Sequence, residues 1–336
     1  MKIFECPNCK SPVFFENTTC QYCHTTLGYH SFLDTFEMPN AIGENKRIFC
    51  ANYNLGVCNW FVDTREDSQF CLACSLNRTV PNRSETDYFE KWQKLEIAKH
   101  RLVYQLLKLK LPVKSKLKYD DGICFDFLSK NNSKKALTGH ANGVITIILT
   151  EADSVHREQI RKQMNEPYRT LIGHFRHEIG HYYWTRLFNH LNIDAYRNLF
   201  GDERLDYGTA LENYYKNGAS NTWNLNYISK YASSHSWEDW AETWAHYLHL
   251  MDTLETAHSL GIHFNPEQPH VKKLVSSDCP NPYKTSDFNV IFKASVSLTS
   301  SVNSLNRSMG LPDIYPFVVP QNVVNKLSFM HTLLNN

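Results

Sequence analysis

No stretch of this sequence is apolar for the ~20 residues that a membrane-spanning helix needs. The longest clean run is Val144 to Leu149. Neither sign of charge is in excess: Lys+Arg is 35, Asp+Glu is 34, and the formal charge is +1. That balance excludes a chain that coats nucleic acid by bulk electrostatics. The opening residues, Met1-Lys2-Ile3-Phe4-Glu5-Cys6-Pro7, have no apolar core of the signal-peptide kind. The expected setting is therefore soluble and cytoplasmic, where thiols stay reduced. Cysteine is scarce after residue 75, where only Cys124 and Cys279 occur, and both read as buried hydrophobes. What is present suffices for cores: 42% of residues are hydrophobic and 13% aromatic, which excludes broad disorder. A length of 336 residues, at ~150 per domain, predicts roughly two domains.

The other eight cysteines are grouped. Cys6-Pro7-Asn8-Cys9 and Cys20-Gln21-Tyr22-Cys23 form two CxxC knuckles, and each knuckle offers two thiolates. Together they predict a closed tetrahedral zinc site. His24 adjoins Cys23, but four cysteines already complete that site. Cys50, Cys58, Cys71 and Cys74 form a second group with one good knuckle, Cys71-Leu72-Ala73-Cys74, and predict a second structural zinc. Residues 1–80 bury too little apolar surface to fold unaided, so metal is expected to supply much of their folding free energy.

Residues 81–120 read as a basic helical connector. Nine Lys/Arg and one acid, Glu96, lie between Lys91 and Lys118. Trp92, Leu95, Ala98, Leu102 and Leu106 recur at helical spacing, predicting a helix from about Thr86 to Leu109 with a mainly solvated charged face. Residues 121–336 read as one catalytic domain. Val144–Leu149 is expected to be a strand after the turn-like run Gly139 to Gly143. Helices are expected near Tyr168–His190 and Ser236–His258, the latter capped by Ser236. Residues from 262 onward are rich in Asn, Ser and Pro and give few signals.

The strongest chemical signal is His177-Glu178-Ile179-Gly180-His181, an HExxH motif. Residues four apart share a helix face, so both imidazoles can reach one ion. Glu178, beside the first histidine, is placed to take a proton from the attacking water. A third protein ligand is needed. In Ser236-Trp237-Glu238-Asp239-Trp240-Ala241-Glu242-Thr243-Trp244-Ala245-His246, Glu238 and Glu242 share a face among three tryptophans. One carboxylate could bind the ion and the other could accept the N–H of a ligating imidazole.

The sequence resembles the zinc-binding metallopeptidases that carry an N-terminal zinc ribbon. The likeness rests on Cys58-Asn59-Trp60, Phe70 to Cys74 with Asn77 to Pro81, Gly173 to Trp184, and Trp237 to Tyr247. It implies an α+β fold: a zincin-like catalytic domain, mainly helical with a small sheet, after a small Cys-rich ribbon. It implies the gluzincin kind of site; with the two cysteine clusters read above, the expected metal is one catalytic zinc and two structural ones. A more distant similarity, to the anthrax lethal-factor protease group, implies Glu238 as the third ligand, Tyr231 as the group that steadies the oxyanion, and Glu242 behind a ligand. His235 is the next candidate for an oxyanion donor or ligand, followed by His246 and His249, and His174 reads as packing or outer support. Fifty-six residues separate His181 from Glu238, and this insert is expected to shape or cover the cleft. In zincins the substrate usually pairs with an exposed strand, and Val144–Leu149 reads equally as that edge or as a core strand.

The expected activity is peptide hydrolysis, with a peptide or protein as substrate. The ribbon offers a possible protein-binding surface, and neither nucleic acid nor a membrane is expected as a partner. The alternative is a ribbon scaffold that recruits a protein or nucleic acid and carries a silent zincin domain. Hydrolysis of a non-peptide amide is a third possibility.

Overall fold

The computed structural model describes all residues except 41, 43–45, 83, 130–137, 189–192, 274 and 336. The chain divides into two units, Met1–Ile160 and Arg161–Asn336. Among the described residues, no helix is long and apolar enough to cross a membrane.

The first unit begins with very short strands, because its chain is bent by knuckles rather than stretched into long ladders. β1 (Phe4–Glu5) pairs antiparallel with β2 (Pro12–Val13), and β3 (Gly28–His30) with β4 (Thr35–Glu37). Both CxxC knuckles close alike. Lys10 N–H donates to Cys6 O and His24 N–H to Cys20 O, each at 3.0 Å. Lys10 and His24 take left-handed backbone, with φ of 66° and 59°. An aromatic cluster of Phe4, Phe15, Tyr29, Phe36 and Trp60 fills the space behind them.

After β5 (Asn77–Thr79) comes α1 (Thr86–Lys108), close to the expected span. It is less solvated than its charge suggested. Trp92, Leu95, Leu102, Val103, Tyr104 and Leu106 are buried, and so are Glu96 and Lys99. Lys99 Nζ lies 2.7 Å from Glu96 Oε2, and both side chains are 0% exposed. Trp92 and Asn77 donate to the other Glu96 oxygen at 2.9 and 2.6 Å, so the buried charges are paired and hydrogen-bonded. Part of this face thus serves packing rather than a charged surface: Lys99 is sealed, and His100 and Tyr104 turn into the ribbon's aromatic cluster.

β6 (Cys124–Leu128), β7 (Gly139–Ala141) and β8 (Val144–Ile148) complete a four-stranded sheet of order β5-β6-β8-β7. β8 runs parallel to β6 on one side and antiparallel to β7 on the other. Its backbone is committed on both sides, so of the two readings the structure favours the core strand over the substrate-pairing edge. The turn expected at 139–143 is narrower than read: Gly139–Ala141 is strand, and Asn142-Gly143, with φ of 49° and 77°, makes the bend. Cys124 is buried in β6, and Cys279 is buried in the second unit.

α2 (Ser154–Gln163) leads into the second unit, which holds α3 (Leu171–Leu187), α4 (Ile193–Phe200), α5 (Tyr207–Asn217), α6 (Ser236–Ser259), the single turn α7 (Pro269–Lys272), α8 (Phe288–Ser308) and α9 (Gln321–Asn335). Thr170 caps α3, its hydroxyl accepting from Gly173 N–H at 3.1 Å. α6 is the axis of this unit, packed against α3, α4, α8 and α9. Trp240, Trp244 and Tyr247 on α6 are fully buried, and Tyr183 of α3 stacks on Trp244 with ring centroids 5.4 Å apart. The cap of α6 is His235 rather than the expected Ser236: its Nδ1 accepts from Trp237 N–H at 3.1 Å. On the far side, Lys326 of α9 donates to the buried Asp239 at 2.6 Å. Burial pushes the Asp239 carboxyl up to about 7 despite the Lys326 charge beside it. The tail, which gave few signals, folds after the short α7 into two long helices because Phe288, Ile291, Ala294 and Leu298, and then Val323, Leu327 and Met330, each form a buried stripe.

Candidate metal centre and active site

α3 and α6 cross closely because α3 carries glycine at the crossing. A Cβ on Gly180 would stand 3.1 Å from Ala241 Cα and 3.2 Å from Trp244 Cβ. Trp240 Nε1–H donates to Gly180 O at 2.9 Å and fixes the approach. That closeness lets Glu238, in the first turn of α6, meet the two HExxH imidazoles. Gly180→Ala is expected to push the helices apart, costing about 1–3 kcal/mol of stability and weakening zinc binding at the histidines. Urea unfolding and competition with a chelator check both; a variant unchanged in both would show that the close crossing does not set the site.

Glu238 Oε2 lies 3.1 Å from His177 Nε2 and 3.6 Å from His181 Nε2. The two Nε2 atoms are 3.2 Å apart. His177 Nδ1–H donates to Glu242 Oε1 at 2.7 Å, and Ser229 Oγ–H donates to Glu242 Oε2 at 2.6 Å. This fixes the His177 tautomer, so its Nε2 lone pair faces the cluster. Glu238 is 1% exposed, and its Oε2 accepts no well-formed hydrogen bond from the described residues. Imidazole lone pairs and a buried carboxylate oxygen converging within 4.8 Å repel one another unless positive charge stands among them. The titration tendencies state the same demand. Burial opposes charge on His177, yet Glu238 and Glu242 hold it well above the usual imidazole range. Burial raises the Glu238 carboxyl, yet His177 and His181 hold it well below the usual carboxylate range. Two imidazoles and one carboxylate are a donor set that suits zinc.

Both cysteine groups also converge. Cys6, Cys9, Cys20 and Cys23 bring their sulfurs within 4.8 Å of one another, as do Cys50, Cys58, Cys71 and Cys74. Cys6 and Cys23 are 3.6 Å apart, and so are Cys58 and Cys71. Burial pushes the Cys6 thiol up to about 11, while the Thr25 hydroxyl, 3.1 Å from Cys23, draws that thiol down to about 5. Eight sulfurs in two tetrads fit two thiolate-bound zinc ions, and neither tetrad reserves a position for water. His24 is outside the first tetrad. His100, in contrast, backs the second one, with Nε2 at 3.7 Å from Cys74 Sγ and 4.0 Å from Cys71 Sγ.

A family model described as "Putative zinc-binding metallo-peptidase" matches residues 88–333, and a zinc-ribbon model matches residues 3–85. The chain belongs to this metallopeptidase family. It is 40% identical to uncharacterized proteins of Mycobacterium bovis and of two strains of Mycobacterium tuberculosis, over 100% of this chain and 96% of each relative. No solved structure matches. The fold is accordingly α+β, a Cys-rich zinc ribbon followed by a peptidase-like domain.

Tyr231 stands beside the cluster, its ring centroid 6.1 Å from that of His177. His235 is not brought to it. One ring nitrogen caps α6, and the other donates to Leu205 O at 3.1 Å. Neither is left to act as the expected oxyanion donor or ligand. His246 and His249 are buried elsewhere on α6, against Tyr315 and Arg176. His174 is half-buried on α3 and is not one of the converging donors. Two groups escaped sequence reasoning: Ser229, behind Glu242, and Tyr207, whose hydroxyl donates to Glu238 Oε1 at 2.6 Å. Both sit in the long insert, where no motif marks them.

Burial draws the His246 pKa down to about 4 from its ordinary 6.5, so it folds neutral. The unfolded chain binds more protons than the folded one between those values, and stability therefore falls as pH drops from 6.5 towards 4. At pH 5 the loss is expected to be on the order of 2 kcal/mol relative to neutrality. Urea unfolding at pH 7 and 5 tests this, because His246→Gln should remove that share of the pH dependence. An identical dependence in the variant would contradict it.

Proposed function

We propose that this chain is a zinc-dependent metallopeptidase of the gluzincin kind that hydrolyses peptide bonds. His177, His181 and Glu238 would hold the catalytic ion, and the two cysteine tetrads would hold structural ones. When bound, zinc supplies a Lewis acid that acidifies water and polarises the scissile carbonyl. Glu178, buried on α3 beside His177, takes the proton of the attacking water and passes it to the leaving amine. Tyr231 donates its hydroxyl to the developing oxyanion, a contact worth ~3 kcal/mol. Glu242 and Ser229 keep the His177 ring turned towards the ion. Cysteines grouped in tetrads need thiols kept reduced, which supports a cytoplasmic setting.

The observation that carries this reading is the convergence of two imidazole nitrogens and one carboxylate oxygen within 4.8 Å, next to a spare glutamate. A peptide library incubated with the zinc-loaded protein tests it. Cleavage is expected, lost with a chelator and restored by zinc. A zinc-loaded protein that cleaves no peptide and instead purifies with one fixed partner would overturn it in favour of a ribbon scaffold.

A further inference from the structure

Tyr207 is the first residue of α5, and the insert is built to hold it against α6. Asp206 caps α5, its carboxylate accepting from Thr209 N–H at 2.7 Å. In the turn before it, Arg204 pairs with Asp202 and Arg197 with Glu203. His235, at the head of α6, donates from Nε2 to Leu205 O, pinning the approach to Tyr207 onto the helix that bears Glu238. The Tyr207 ring then packs against His235 and Trp237, with centroids 5.3 and 5.9 Å away. Its hydroxyl donates to Glu238 Oε1 at 2.6 Å.

The two Glu238 oxygens therefore have separate tasks. Oε1 is taken by the Tyr207 phenol, and Oε2 faces the imidazole nitrogens. A free carboxylate can bind an ion through one oxygen or both. With one oxygen held by a phenol O–H, the other, which faces the imidazoles, is the stronger donor. A catalytic zinc site must keep a position open for water, whereas a closed set of protein donors makes a structural site.

We propose that Tyr207 is a positioning residue of the metal centre, clamping Glu238 so that it offers a single oxygen and leaves a coordination position for water. The role presupposes the reading of His177, His181 and Glu238 as ligands, but not that the substrate is a peptide. It also gives His235 a task, which is to anchor the insert that carries the clamp.

The test is Tyr207→Phe, which removes one oxygen and keeps the ring, compared with Tyr215→Phe, an exposed tyrosine of the same helix. Zinc affinity is measured by chelator competition. The cobalt-substituted protein is measured by visible absorption, and subtracting the His177→Ala spectrum removes the thiolate sites. Tyr207→Phe is expected to bind zinc about 10–100-fold more weakly and to show a weaker, shifted cobalt band as Glu238 closes on the ion with both oxygens. Tyr215→Phe is expected to keep both wild-type properties. Wild-type affinity and an unchanged cobalt band in Tyr207→Phe would overturn the proposal. Should that variant not fold, X-ray absorption of the zinc-loaded wild type decides: one carboxylate oxygen on the ion supports the clamp, and two overturn it. A protein that passes these tests yet cleaves no peptide would sink the peptidase reading and leave the clamp standing.

Discussion

Glu178→Gln is expected to retain zinc while losing peptide hydrolysis by on the order of 10²–10⁴-fold, the range typical of a positioned general base. The amide fills the same space on α3, so the fold should not change. Nor does Glu178 belong to the group of converging donors, which consists of His177, His181 and Glu238. What the amide lacks is a basic oxygen able to take a proton. Turnover and bound zinc must therefore be measured on the same preparation. Unchanged turnover would remove Glu178 from the chemistry. Lost zinc would make it a structural residue instead.

The second large effect is expected in the ribbon. Its strands are two or three residues long, too short to hold themselves together. Structural zinc can supply about 10–16 kcal/mol of folding free energy, as much as the whole net stability of a typical domain, about 5–15 kcal/mol. Cys58→Ser should lose one zinc and, with it, hydrogen-exchange protection across residues 48–75. The loss should extend into α1, because His100 rests against Cys74 and Cys71 and lies 5.2 Å, ring to ring, from Trp60. Cys9→Ser should also lose one zinc but act mainly on residues 1–40. Protection unchanged in both variants would show that the aromatic cluster, rather than metal, holds this unit.

The parts legible from sequence are those where chemistry imposes a spacing. CxxC knuckles, HExxH, and the alternation of acids and tryptophans on α6 each need fixed intervals, and their residues meet as the intervals suggested. The helix over Thr86–Lys108 was legible for the same reason, from its apolar repeat. The illegible parts depend on what the chain meets after folding. Lys99 looks like any surface lysine until Glu96 and Asn77 close around it. His235 looks like a ligand candidate, since sequence does not reveal that a carbonyl and a helix end consume both its nitrogens. Tyr207 lies thirty-one residues before Glu238, in an insert without periodicity. Residues beyond 262 are rich in serine, whose hydroxyls return to their own helix, as Ser301 does to Ser297 O, and this disguises α8 as a loop.

The most direct measurement is the number of zinc ions per chain in the purified protein and in three single variants. Three ions are expected in the wild type. Two are expected after His177→Ala, His181→Ala or Glu238→Ala, with the ribbon intact in each. Two ions in a wild type whose cysteines are all reduced, or three retained by Glu238→Ala, would contradict a catalytic zinc gripped jointly by α3 and α6.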